Sequence, residues 1–230
     1  MGALRTVVDL LFPPRCLGCG AMGSFFCAAC LAATPPVDVA VCPACKMPVD
    51  PEHPICRCRR HALIYVRAGG TYDNPLRLAI HRYKYGGRKA AAADLAAVLD
   101  RAIGPLAALN PILVPIPLHP RRQRQRGYNQ AALLARAVGA GHGLVVAESA
   151  LRRVRATAPQ VGMNAEQRAR NIQGAFSADP GACTIKNVVL VDDVCTTGAT
   201  LRAAADAMRN AGARHVYAAV LALATPDRDH

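Results

Sequence analysis

Apolar and polar positions follow two rhythms along this chain, one of strand length and one of helical period. Residues 63–68 form an almost continuous apolar run that reads as a strand. Thr71, Tyr72, Asp73, Asn74 and Pro75 then supply a capping group and an early proline that open a helix. Leu76, Ile80 and Tyr83 recur at helical spacing, and the Tyr85-Gly86-Gly87-Arg88 break ends it. A second helix is expected over 90–103, a short apolar strand over 112–116, a loop over 117–122 and a helix over 128–138. Residues 144–147 suit a small strand. Residues 152–176 are polar, Arg-rich and weakly periodic, which predicts a partly mobile stretch. The run 188–191 is wholly apolar, a helix follows over 200–211 with Gly212 as its stop, and 216–223 is the last strand. Apolar strands alternating with helices indicate an α/β fold with a mostly parallel sheet covered on both faces.

Composition narrows this picture. The chain has no Trp and only 4% aromatic residues, so its 52% apolar content must build the core from Ala, Val, Leu and Ile. That suits close packing of helix on sheet. Lys and Arg total 28 against 15 Asp and Glu, a net charge of +13 that favours anionic ligands: nucleic acid, polyphosphate or a phosphorylated small molecule. No segment reaches the roughly 18 apolar residues of a membrane span, so no membrane insertion is expected. Asp9 interrupts the first apolar run and no small-residue cleavage site follows, which speaks against a secretory signal. The Met1-Gly2 start with Thr6 matches a myristoylation pattern too short to carry weight. A cytoplasmic location is the expectation.

Eight of the ten cysteines fall between Cys16 and Cys58. They read as C-x-x-C pairs Cys16/Cys19, Cys27/Cys30 and Cys42/Cys45, closed by Cys56-x-Cys58. Each knuckle turns two thiolates toward one metal, and two knuckles complete a tetrahedral site. In a reducing compartment disulfides are disfavoured, and structural zinc is the expectation. Sequential pairing (16/19/27/30 with 42/45/56/58) and a crossed arrangement both fit, and His53 or His61 could replace a thiolate in the second site. Arg57, Arg59 and Arg60 either balance the thiolates or touch phosphates. The domain reading is a cysteine-rich double ribbon over 1–60 and an α/β domain over 61–230.

The segment 188–200 carries the most specific chemistry. A buried strand delivers Asp192 and Asp193 to its carboxyl end, where α/β sheets place their ligands. The turn Thr196, Thr197, Gly198, Ala199, Thr200 follows and opens a helix. Small residues let backbone N–H groups approach an anion, hydroxyls add donors, and the helix N-terminus favours negative charge. Carboxylates beside such a turn suit sugar hydroxyls, with a divalent cation close by. The pattern implies a ligand with a phosphate at one end and vicinal hydroxyls in the middle.

This run resembles the phosphoribosyl diphosphate (PRPP) signature of type I phosphoribosyltransferases. The resemblance implies that Asp192, Asp193, Val194, Cys195, Thr196, Thr197, Gly198, Ala199 and Thr200 form the PRPP-binding segment, in which Asp192 and Asp193 engage the ribose, Thr196 to Thr200 hold the 5-phosphate, and Cys195 occupies a variable position. Further segments narrow it. The runs 115–122 and 126–130, together with Arg155-x-Thr157-x-x-Gln160 and Arg168-x-x-Asn171-x-x-Gly174-Ala175-Phe176, resemble the bacterial ComF family. That family joins a double zinc ribbon to a phosphoribosyltransferase domain, so the likeness spans nearly the whole chain. Two departures stand out: C-x-C closes the second ribbon, and Cys195 stands where an aromatic is common.

The likeness implies a type I phosphoribosyltransferase fold and PRPP binding with Mg²⁺. Arg121, Arg122 and Arg126 would hold the diphosphate through their guanidinium forks. Arg155, Gln160 and Arg168 would belong to a closing hood, and Asp192, Asp193, Arg121 and Arg122 would carry the transfer of a ribosyl 5-phosphate to a nitrogen nucleophile. Two other classes remain open: a DNA-uptake accessory that binds single-stranded DNA or a helicase partner, and a PRPP-sensing regulator without turnover. No G-x-x-x-x-G-K-[ST] sequence is present, which argues against an ATP-driven motor on this chain.

Overall fold

The computed structural model describes residues 13–54, 56, 58, 62–155, 171–183 and 186–224. The N-terminal run, Arg57, Arg59, Arg60, His61, Thr157, Gln160 and Arg168 lie outside these residues, as does most of the stretch read as mobile.

The cysteine-rich segment contributes a short helix α1 (Ala28–Ala32) and strands β1 (Val37–Val41) and β2 (Pro48–Val49). There follow β3 (Leu63–Thr71), α2 (Leu76–Tyr85), α3 (Ala91–Ala107) and β4 (Ile112–Pro115). Next come α4 (Pro120–Arg126), α5 (Gln130–His142), β5 (Leu151–Arg153), β6 (Phe176–Ala178) and the one-turn α6 (Pro180–Cys183). The chain ends its described part with β7 (Asn187–Cys195), α7 (Ala199–Asn210) and β8 (His215–Leu223).

The main sheet has the order β2-β1-β3-β8-β7-β4. Strands β3, β8, β7 and β4 run parallel, and β1 and β2 add antiparallel at the β3 edge. The cysteine-rich segment is therefore part of the sheet, not an appendage to it. Parallel strands need cover on both faces. In β7 the alternation is visible residue by residue. Val189 and Val191 share one core with Ile80 of α2, Leu95 and Leu99 of α3 and Leu134 of α5. Val188 and Leu190 share the other with Leu201, Ala205 and Met208 of α7. Phe176 and Leu151 of the two-stranded β5–β6 hood join this second face.

Small residues set how close the layers come. A Cβ on Gly69 would lie 1.9 Å from the Val98 carbonyl oxygen, so only glycine lets α3 sit this near β3. Helix α3 presents Leu95, Val98, Leu99, Ala102, Ile103 and Leu106 on one buried stripe at helical spacing.

The segment 117–122 departs from the expected loop, because α4 begins at Pro120. His119 caps it by accepting the Arg121 N–H at Nδ1 (3.2 Å), and Pro120 holds the first turn. No residue of α4 is buried, so there was no apolar stripe to read. The expected strand at 144–147 is reduced to a bridge from Val146 to Leu113. No helix among the described residues is long and apolar enough to cross a membrane.

Candidate functional site

The eight cysteines gather into two clusters, Cys16/Cys19/Cys27/Cys30 and Cys42/Cys45/Cys56/Cys58. Pairing is thus sequential, and the C-x-C pair contributes both its sulfurs to the second cluster, 3.1 Å apart. Sulfur separations are 3.6 Å for Cys16–Cys30, 3.7 Å for Cys19–Cys27, 3.5 Å for Cys42–Cys58 and 3.4 Å for Cys45–Cys56. A zinc ion with Zn–S bonds of about 2.3 Å demands tetrahedral edges of about 3.8 Å. The donor sets fit zinc, and four thiolates leave no open coordination position, so the metal is structural. His53 takes no part: its Nδ1 lies 3.5 Å from Asp50 Oδ2 on the surface.

The first cluster is fastened to the α/β layers by charged side chains. Asp94 of α3 accepts the backbone N–H groups of Phe25 and Phe26 (2.5 and 3.2 Å). Arg82 donates to the Leu17 carbonyl (2.9 Å), and Arg101 donates to those of Leu31 and Thr34 (3.0 Å each).

A cleft of about 290 Å³ opens at the carboxyl ends of the parallel strands. Asp192 and Asp193 form its floor, Arg122 and Arg126 of α4 stand on one wall, and Thr196 and Thr200 on another. A smaller concavity, lined by the whole turn Thr196–Thr200, joins it through Asp192, Val194, Thr196 and Thr200. Gly198 holds the turn with φ +71°, and Ala199 N–H donates to Thr197 Oγ1 (3.4 Å). Loop 116–119 is held under the cleft by Ile116 N–H on the Val191 carbonyl (2.9 Å) and Asn129 Nδ2 on the Ile116 carbonyl (3.0 Å).

Four cleft residues escaped the sequence reading in their roles: Lys84, Arg153, Tyr72 and Gln130. Lys84, at the end of α2, pairs with Asp193 at 2.8 Å. Burial pulls its ammonium pKa down, but Asp193 and then Asp192 outweigh that and hold it above its ordinary value. Burial, and then the charge of Asp193, push the Asp192 carboxyl up to about 7, against the Asp193 N–H bond and the Lys84 and Arg153 charges. Arg153 stacks over Phe176 at 5.6 Å. Burial and the facing Arg122 lower its pKa while Asp192 supports it. Gln130 is 1% exposed, and its Nε2 has no hydrogen-bond partner among the described residues. Four cations thus face two carboxylates, one of which is already paired, an excess of positive charge that suits an anionic ligand. The only local hint of Lys84 was a cation beside the Tyr85-Gly86 break, and of Arg153 its place two residues after Leu151.

The other expected site residues are spread apart. Arg121 lies outside the cleft lining, exposed on α4. Arg155 donates instead to the carbonyls of Asn171 (3.0 Å) and Gln173 (2.6 Å), tying together the two ends of the hood. Cys195 is buried at 1% exposure beneath the turn and is among the residues that line the smaller concavity.

Comparison with known proteins agrees with both parts of this arrangement. Residues 7–59 match the double zinc ribbon domain family, and residues 125–230 match the phosphoribosyl transferase domain family. The chain is 34% identical over 188 residues to the DNA utilization protein YhgH of Salmonella typhi, covering 77% of this chain and 82% of that one. It is 32% identical to competence protein F of Haemophilus influenzae, over 64% of this chain and 67% of that one. Competence protein ComFC of Bacillus subtilis is 26% identical over 81% of this chain and 78% of its own length. With a double zinc ribbon, a phosphoribosyltransferase domain and relatives of this similarity over most of their length, the chain belongs to the ComF family.

Proposed function

We propose that the cleft binds PRPP and that the protein transfers its ribosyl 5-phosphate to a nitrogen nucleophile. The observation that carries this reading is the continuity of three surfaces: a small-residue, hydroxyl-bearing turn, a carboxylate floor and an arginine wall. In this reading the backbone N–H groups of Thr196–Thr200 and the α7 N-terminus hold the 5-phosphate. Asp192 and Asp193 accept the ribose hydroxyls, and Arg122, Arg126 and Arg153 grip the diphosphate. The carboxylates and diphosphate oxygens form an all-oxygen donor set that fits Mg²⁺, which supplies charge neutralisation of the departing diphosphate when bound. Lys84, 2.8 Å from Asp193, holds that carboxylate aimed at the sugar. Positive charge develops at the ribose C1 carbon as diphosphate leaves, and no nucleophilic side chain is needed. Reduced thiolate ligands and a phosphorylated metabolite both suit the cytoplasm.

Calorimetric titration with PRPP and Mg²⁺ tests the site. Saturable binding by the wild type that is lost in Asp192→Ala/Asp193→Ala is expected. Release of diphosphate against a panel of nitrogenous bases then tests turnover. Tight binding without release for any base would replace the enzyme by a sensor.

A second reading is favoured by the names of the relatives, a DNA utilization protein and competence proteins. The exposed arginines of α4 would then contact the backbone of single-stranded DNA, alone or with a helicase partner. Affinity for a labelled oligonucleotide should fall steeply with salt, and charge removal at Arg121 and Arg124 should flatten that slope.

A further inference from the structure

The second cysteine cluster stands directly behind the turn assigned above to the 5-phosphate. Pro43, between Cys42 and Cys45, is buried against Gly198: a Cβ there would lie 2.1 Å from the Pro43 carbonyl oxygen and 3.4 Å from Lys46 Nζ. Lys46, the residue after the knuckle, has φ +61° and turns its ammonium inward. That ammonium donates to Cys195 Sγ at 2.9 Å and to the Pro43 carbonyl at 3.2 Å. Arg202 of α7 closes the ring, donating to the carbonyls of Pro43 and Thr197 at 3.4 Å each. The knuckle itself is pinned by Ala44 N–H on Cys42 Sγ (3.4 Å) and Lys46 N–H on the Cys42 carbonyl (3.1 Å). A cation and a buried carbonyl from the distant knuckle, with Arg202 of the adjoining helix, therefore grip a turn whose ligand, in the reading above, is a phosphate dianion.

We propose that the second metal knuckle is a structural part of the 5-phosphate site, with Lys46 as the residue that positions the turn, so that metal retention and phosphate binding are linked. The proposal rests on the PRPP reading and deepens it. Zinc that gathers Cys42, Cys45, Cys56 and Cys58 fixes Pro43 and Lys46, and through them Cys195, Gly198 and the N-terminus of α7. Linkage is reciprocal: what tightens the turn slows loss of the metal, and loss of the metal loosens the turn. Among the described residues that line the cleft with the arginine wall, none belongs to the knuckle, so binding at that wall should be insensitive to it.

Two measurements test this. The first compares wild type, Lys46→Met and Lys46→Arg by calorimetry with ribose 5-phosphate and, separately, with inorganic diphosphate. Lys46→Met should weaken ribose 5-phosphate by about tenfold, within the usual range for coupled sites, and leave diphosphate unchanged. Lys46→Arg should restore most of the affinity, with zinc content constant throughout. Equal affinity in Lys46→Met, or equal loss at both ends, overturns the assignment. The second measurement needs no variant: release of zinc from the wild-type protein to a chromophoric chelator, with and without saturating ribose 5-phosphate. One of the two metals should leave several times more slowly with the ligand present, and unchanged release overturns the linkage. If wild type binds neither ribose 5-phosphate nor PRPP, the PRPP reading itself fails, which a loss confined to Lys46→Met cannot mimic.

Discussion

Lys84 and Asp193 illustrate how a single pair shapes the cleft. Asp193 is 8% exposed, and its carboxylate sits 2.8 Å from the Lys84 ammonium. Removing one partner of such a pair strands a buried charge, which costs about 3 kcal/mol. Lys84→Met should lower the denaturation midpoint accordingly, and adding Asp193→Asn should recover much of the loss, which a double-mutant cycle on urea curves will read. Gly198 makes a sharper demand. At φ +71° an L-residue costs about 1–2 kcal/mol from conformation alone, and here a methyl group also meets the Pro43 carbonyl. Gly198→Ala should both lower the melting temperature and abolish ribose 5-phosphate binding. A variant that binds as wild type would show that the turn tolerates displacement.

Between elements, the sheet is held by apolar stripes and the ribbon by ionised side chains on backbone groups. Met208 of α7 is fully buried among Leu190, Val220 and Ala204, so Met208→Ala should cost about 2–5 kcal/mol through the cavity it leaves. Asp94 works differently. It neutralises two backbone donors at the entry to α1, and Asp94→Ala would leave Phe25 and Phe26 N–H groups without their acceptor, a loss of about 2 kcal/mol. Hydrogen exchange should quicken at these two amides, and the metal of the first cluster should leave sooner while the second is retained. Helix α4 is built the opposite way: a cap, a proline and a row of arginines, with none of its own residues buried.

For the molecule as a whole, the two metal sites differ in what they support. The first cluster packs Phe26, Cys16 and Cys30 into the α2–α3 face of the core, whereas the second lies between the edge strands β1 and β2 and the turn Thr196–Thr200. Cys19→Ser and Cys45→Ser should each reduce zinc from two ions to one. In Cys45→Ser, exchange protection should disappear over β1 and β2 while the β3-β8-β7-β4 strands keep theirs, because those four strands pair with one another without the ribbon's help. Loss of protection throughout the sheet would mean that the edge strands are required for its stability.

The parallel strands, most helices, the metal-binding character of the cysteines and the acid-turn-helix segment could be read from sequence because each is written in neighbouring residues. Apolar runs, helical spacing, C-x-x-C knuckles and a hydroxyl-rich bend are consequences of local backbone geometry. Tertiary structure alone decided that the cysteines pair sequentially, that β1 extends the main sheet, and that Arg155 binds the hood's ends while Arg122, Arg126 and Arg153 share the cleft. It alone carried Lys84 to Asp193 and Lys46 to Cys195. These meetings join residues far apart in the chain, and a cation's neighbours are fixed by how layers pack, a quantity that no local pattern of side chains encodes.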